Sequence, residues 1–118
     1  MNQVLILETD SEKIGVIRNP YERAVFHYMH GLDWIGFDRW LQMGTLDKQV
    51  NIYRDCTTFI AFDDWENELK IFGYDVKDTS VMQGQKTITD WKSWYTLKSR
   101  NIIDRYYRDD ITTFGFSY

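Results

Sequence analysis

Apolar and polar positions along this chain sort into short strand-like runs and longer helix-like ones. "QVLILET" and "KIGVIR" are apolar, rich in branched side chains and split by the turn-prone "DSE", so they predict two strands joined as a hairpin. Arg18 closes the second run. Asn19 then suits a helix N-cap and Pro20 the first helical position, while Tyr21, Ala24, Val25, Tyr28 and Met29 recur at helical spacing as far as Gly31. "DWIGFDRWLQMG" predicts a shorter second helix with Ile35, Trp40, Leu41 and Met43 among its apolar positions, and "LDKQVNIYRD" continues the helical layer.

"CTTFIAF" is strand-like again. Asp63 and Asp64 follow as caps, and "WENELKIFG" sets Trp65, Leu69 and Phe72 on one helical face before Gly73 ends the pattern. "YDVKDTSVMQGQKTITD" has no period and predicts a loop crossing the surface, with Gly84 at its middle. Thr96 predicts the cap of a last helix running to about Asp110, in which Ile103, Tyr106, Tyr107 and Ile111 form an inward stripe before Gly115. "IGVIR" and "TFIAF" are apolar on both alternating faces and flank a helical segment, which predicts strands covered on both sides and linked by a crossover. The expected fold class is therefore α/β: small and helix-rich, with a narrow two- or three-stranded sheet that leaves an edge or a face open.

A length of 118 residues accommodates a single domain over 1–118. Aromatic residues make up 17%, which argues against disorder and for a core or interface built from large amphipathic rings. The net charge of −4, with both signs interleaved, gives no broad attraction to nucleic acid or to an anionic membrane. Cys56 stands alone, so an intrachain disulfide and a cysteine-rich zinc site are excluded and a reducing compartment fits. The run "VLIL" is too short for a signal segment or a membrane span, and the expected location is the cytoplasm.

Candidate chemistry centres on Arg18. A helix N-terminus offers unpaired N–H donors and a partial positive charge, and an arginine beside it adds a planar fork matched to phosphate oxygens. The simpler alternative leaves Arg18 at a strand end in water, or paired with Glu22 or an aspartate.

The segment "VIRNPYERAVFHY" resembles the 3′-phosphate-binding segment of the PAPS-dependent sulfotransferases, in which a strand ends in Arg and is followed by Asn or Asp, Pro, an aromatic, an acid, Arg, two small or apolar residues and Ser. "WKSWYTLKSRNIIDRYYRDDITTFGFSY" resembles the end of the same family, and "FIAFDDWENELKIFG" resembles the strand and helix between those landmarks, so the likeness runs from about residue 13 to residue 118. It implies a remnant of a sulfotransferase-like P-loop-type fold, with Arg18 as the contact for the 3′-phosphate of PAPS or adenosine 3′,5′-bisphosphate.

Two departures from the pattern bear on activity. No Lys- and Thr-containing donor loop precedes Lys13, and no catalytic base can be assigned. Phe26 occupies the family's serine position, where a phenyl ring cannot donate to phosphate. The reading that follows is a truncated sulfotransferase-like domain that does not catalyse, requires no cofactor and acts through contacts with a protein partner or as a homodimer. The alternatives are an active PAPS-dependent sulfotransferase, transferring to a hydroxyl or amine, completed by another chain, and an adenosine-bisphosphate-binding regulator. Short family members of this kind suit compact genomes such as those of phages.

Other clusters point elsewhere. His27 and His30 lack a third ligand at metal-site spacing and read as surface or partner-facing. Asp63, Asp64, Glu66 and Glu68 fit a first helical turn better than a cation site. Trp91, Trp94 and Tyr95 have only Lys92 among them, too little positive charge for a nucleic-acid groove, and read as packing residues. Ser93, Ser99 and Ser117 have neither a neighbouring base nor a nucleophile elbow.

Overall fold

The computed structural model describes residues 4–31 and 35–118; Asp33 and Trp34 of the second expected helix lie outside the described residues. The architecture is α/β, and the described residues form a mixed three-stranded sheet and six α-helices. Contacts group the described residues into two units, residues 4–18 with 49–86, and residues 19–31 and 35–48 with 87–118.

The first unit holds the sheet. Strands β1 (Ile6–Glu8) and β2 (Lys13–Ile17) pair antiparallel across the "DSE" turn, where Thr9 Oγ1 accepts from the Glu12 N–H at 3.0 Å. Strand β3 (Thr58–Ala61) lies parallel to β2 on its other side, with Gly15 opposite Phe59, which is the crossover arrangement that the sequence predicts. Every residue from Ile14 to Ile17 is buried, so β2 is covered on both sides. β3 is not: Ile60 is buried while Phe59 and Ala61 are exposed. A Cβ on Gly15 would meet the Phe59 ring at 3.1 Å and the Tyr53 ring at 3.3 Å, so the missing side chain on β2 seats two aromatic rings and leaves the outer side of Phe59 to solvent. The same unit contains the short helix α3 (Gln49–Ile52) and, after a 3₁₀ turn at Phe62–Asp64, helix α4 (Trp65–Ile71). Asp64 takes the N-cap position of α4 but its carboxylate accepts from the Asn67 side chain at 3.2 Å instead of from the backbone. Phe72, expected on one face with Trp65 and Leu69, lies one residue past the end of α4 and is exposed, and no residue of α4 itself is buried.

Helices make up the second unit. Helix α1 (Pro20–Met29) starts as its sequence demands, with Asn19 Oδ1 accepting from the Tyr21 N–H at 2.9 Å and Pro20 in the first turn. Helix α2 (Phe37–Gln42) is followed by Gly44, and helix α5 (Leu97–Tyr106) opens on a reciprocal capping box between Thr96 and Ser99. Tyr21, Ala24 and Tyr28 of α1, Trp40 and Leu41 of α2, and Ile103 with Leu46 and Tyr107 form one buried cluster.

The single last helix expected to reach Asp110 is two helices, because α5 ends at Tyr106 and α6 (Arg108–Phe114) begins after Tyr107. Tyr107 leaves helical geometry, with φ −109° and ψ 28°, while its buried hydroxyl donates to the Leu46 carbonyl at 2.6 Å. The inward line on this segment is Ser99, Ile103 and Tyr107, four residues apart; Tyr106 falls on the flank and is exposed. No helix among the described residues is long and apolar enough to cross a membrane.

Candidate functional site

Arg18 follows the last residue of β2, and its surroundings decide what it can do. Its backbone is held by one side chain: Gln49 Oε1 accepts from the Arg18 N–H at 2.9 Å, and Gln49 Nε2 donates to the Arg18 carbonyl at 2.7 Å. Gln49 is 1% exposed and Arg18 3%. A side-chain amide thus continues the backbone ladder where the strand stops, meeting the donor and the acceptor that burial would otherwise leave costly.

The guanidinium is taken up just as fully. Nη2 donates to the Lys86 carbonyl at 2.8 Å, Nη1 donates to Gln85 Oε1 at 3.3 Å, and the guanidinium carbon lies 3.9 Å from the centre of the Phe62 ring. Gln85 and Lys86 come from the aperiodic stretch predicted as a surface loop, which includes a 3₁₀ turn at Ser80–Met82 with Met82 buried. That stretch therefore reaches a buried arginine as well as crossing the surface. Of the outcomes expected for a strand-end arginine, open water is overturned: Arg18 is 3% exposed and its guanidinium meets a carbonyl, an amide oxygen and a ring.

Phe26 is buried on α1, its ring centre 4.3 Å from that of His30 and 5.5 Å from that of His27. His30 Nδ1 lies 2.7 Å from the Phe26 carbonyl, so this histidine is engaged with its own helix. Among the described residues no group of three or more His, Cys, Asp or Glu could hold a metal ion.

Charged residues inside the helical unit were not legible beforehand. Glu22, Arg23 and Asp110 are all buried. Glu22 accepts from the Ile88 N–H at 3.0 Å, fastening the strap before α5 to the first turn of α1. Burial raises the Tyr107 phenol above its ordinary value; Arg23 opposes the shift, and Asp110 and Asp47 reinforce it. The aromatic patch is a packing feature: the Tyr21 ring stacks on Trp91 at 5.8 Å and meets Tyr118 edge-on at 5.1 Å, and the Tyr95 hydroxyl donates to the Tyr21 carbonyl at 2.7 Å. Tyr21 in turn donates to Asp104.

A groove of about 880 Å³ runs along the outer face of α5 past Gln42 at the end of α2. Leu97, Ile102 and Tyr106 supply its apolar floor and Lys98 and Arg105 its charge. The repeat 97/98, 101/102, 105/106 is one helical face turned away from Ser99 and Ile103. Sequence periodicity contained this face, but Tyr106, which the pattern assigns to the inward stripe, lies on it. Comparisons of the chain with protein-family models, with curated proteins and with solved structures give no match.

Proposed function

We propose that this protein is a sulfotransferase-like domain that does not transfer sulfuryl groups and works through contacts with protein. The observation that carries the reading is the engagement of Arg18. To grip a 3′-phosphate, the guanidinium would have to give up its bonds to Lys86 and Gln85 and its stacking on Phe62. Hydrogen bonds to a charged group are worth about 1.5–3 kcal/mol each, so releasing two weakens a phosphate contact by roughly two to four powers of ten. Phe26, in place of the resembling family's serine, offers no compensating donor and is itself packed against His30. Holding one end of a donor equally well in ground and transition states would in any case leave the rate of the chemical step unchanged. The exposed, apolar and positively charged face of α5 supports the protein-contact half of the reading.

The test is incubation of the purified chain with labelled PAPS and a broad panel of hydroxyl and amine acceptors, beside calorimetry with adenosine 3′,5′-bisphosphate. No transfer and no measurable binding are expected. Transfer by the unmodified chain refutes the proposal, and Arg18→Lys, which keeps the charge, then tells whether this residue is responsible. Tight binding without transfer would instead identify a nucleotide-sensing regulator.

A further inference from the structure

Charge is divided unevenly between the two units. Residues 4–18 and 49–86 hold ten acidic against six basic side chains, which accounts for the whole net charge of −4; the described helical residues hold seven acidic and eight basic ones. Within this division two exposed surfaces have opposite character. On the acidic unit, Ile71 and Phe72 at the end of α4 are 67% and 58% exposed, and Asp63, Asp64 and Glu66 stand exposed at its beginning. On the helical unit, the α5 groove sets Leu97, which is 75% exposed, beside Lys98 at one end and Tyr106 beside Arg105 at the other.

We propose that the α5 groove of one copy receives α4 of a second copy, the helices lying antiparallel. Ile71 and Phe72 then meet Leu97 and Ile102, and the acids at the start of α4 face Arg105. This orientation also opposes the helix dipoles and uses the helix-in-groove mode by which an amphipathic helix lays apolar anchors into an apolar trough. Charge complementarity selects the occupant: residues 63–72 carry four acids and one lysine, whereas α5 carries three bases and one aspartate. The groove is large enough for two such anchors, being in the size range that encloses a drug-sized ligand. The proposal rests on the protein-contact reading above and gives that contact a definite partner.

The experiment is sedimentation velocity of the full chain over a range of concentrations and ionic strengths, with two variants whose folding is checked by circular dichroism. Lys98→Glu with Arg105→Glu makes the groove acidic, and Asp64→Lys with Glu66→Lys makes the α4 end basic. The unmodified chain is expected to self-associate more strongly at low salt, and each double variant alone to associate at least about tenfold more weakly. Mixed, the acidic groove faces the basic α4 end and the unmodified groove the unmodified α4, so the two variants re-associate as a heterodimer, an outcome that a merely structural role for these residues does not produce. A monomer under all conditions, association indifferent to both variants, or a mixture that stays monomeric overturns the proposal. The non-catalytic reading is then still decided by the transfer assay, so the two fail separately.

Discussion

Replacing Gln49 isolates the energy of the clamp on Arg18. In Gln49→Leu the side chain keeps nearly its volume but loses both polar atoms, leaving the Arg18 N–H and carbonyl without the partners now at 2.9 and 2.7 Å. Because Gln49 and Arg18 are both buried, water does not reach these groups past a leucine. Each buried backbone group left unsatisfied costs about 1–3 kcal/mol, so the change should destabilise the protein by roughly 2–6 kcal/mol, a large part of an ordinary domain's stability. Gln49→Ala removes the same hydrogen bonds but opens a polar cavity into which a water can enter, and should cost no more than leucine does. If packing alone mattered, the order would reverse, since alanine leaves the larger void. Urea unfolding followed by far-ultraviolet circular dichroism measures both variants. A cost below about 0.5 kcal/mol for Gln49→Leu, or a markedly larger cost for alanine, would refute the clamp as described.

Three further outcomes are expected. Phe26→Ser should lower stability by about 3–5 kcal/mol, as other losses of a buried ring do, without creating affinity for adenosine 3′,5′-bisphosphate, as denaturation and calorimetry will show. Gly44, at φ +62° with the Tyr106 phenol close against the position of an added Cβ, should tolerate alanine worse by about 1 kcal/mol than Gly84, at φ +76° with open space around it, in matched thermal melts. Burial raises the phenols of Tyr21, Tyr95 and Tyr107 above their ordinary value of 10.0, with the Asp104 hydrogen bond adding to the shift at Tyr21. Their contribution to stability should therefore be complete below pH about 10 and fade above it, as the unfolded chain ionises first; ultraviolet titration should show these tyrosines ionising only with unfolding.

Local signals in the sequence were strong where a residue acts on its near neighbours. The hairpin, the Asn19 cap with Pro20 behind it, and the Thr96 cap are decided within a few residues of chain, and each stands where the pattern puts it. The parallel placement of β3 also follows from its apolar pattern and the helices before it. Tyr107 shows where this reasoning stops, because helical spacing extends through it while a carbonyl 61 positions away captures its hydroxyl and ends α5. The surroundings of Arg18 were invisible for the same reason. Gln85 and Lys86 are ordinary loop residues until the fold brings them 67 and 68 positions back along the chain. Gln49 gave a fainter sign, a polar residue in a weakly patterned segment, yet nothing local distinguishes a buried amide clamp from a solvated one.

The sheet topology also sets an order of events during synthesis. β2 finds β1 at once across a short turn, but its other neighbour lies 44 residues later, counting from Gly15 to its partner Phe59. At about 5–20 residues per second, a ribosome needs roughly 2–9 seconds to supply that stretch. Throughout this interval the nascent hairpin presents one unpaired edge of a strand whose residues 14–17 are destined for the interior, and non-local pairing of this kind is slow to form even once the chain is complete. The growing chain is thus most exposed to mispairing with other chains while residues 18–57 are being made, and a chaperone that holds short apolar strands would have its natural target at "IGVI".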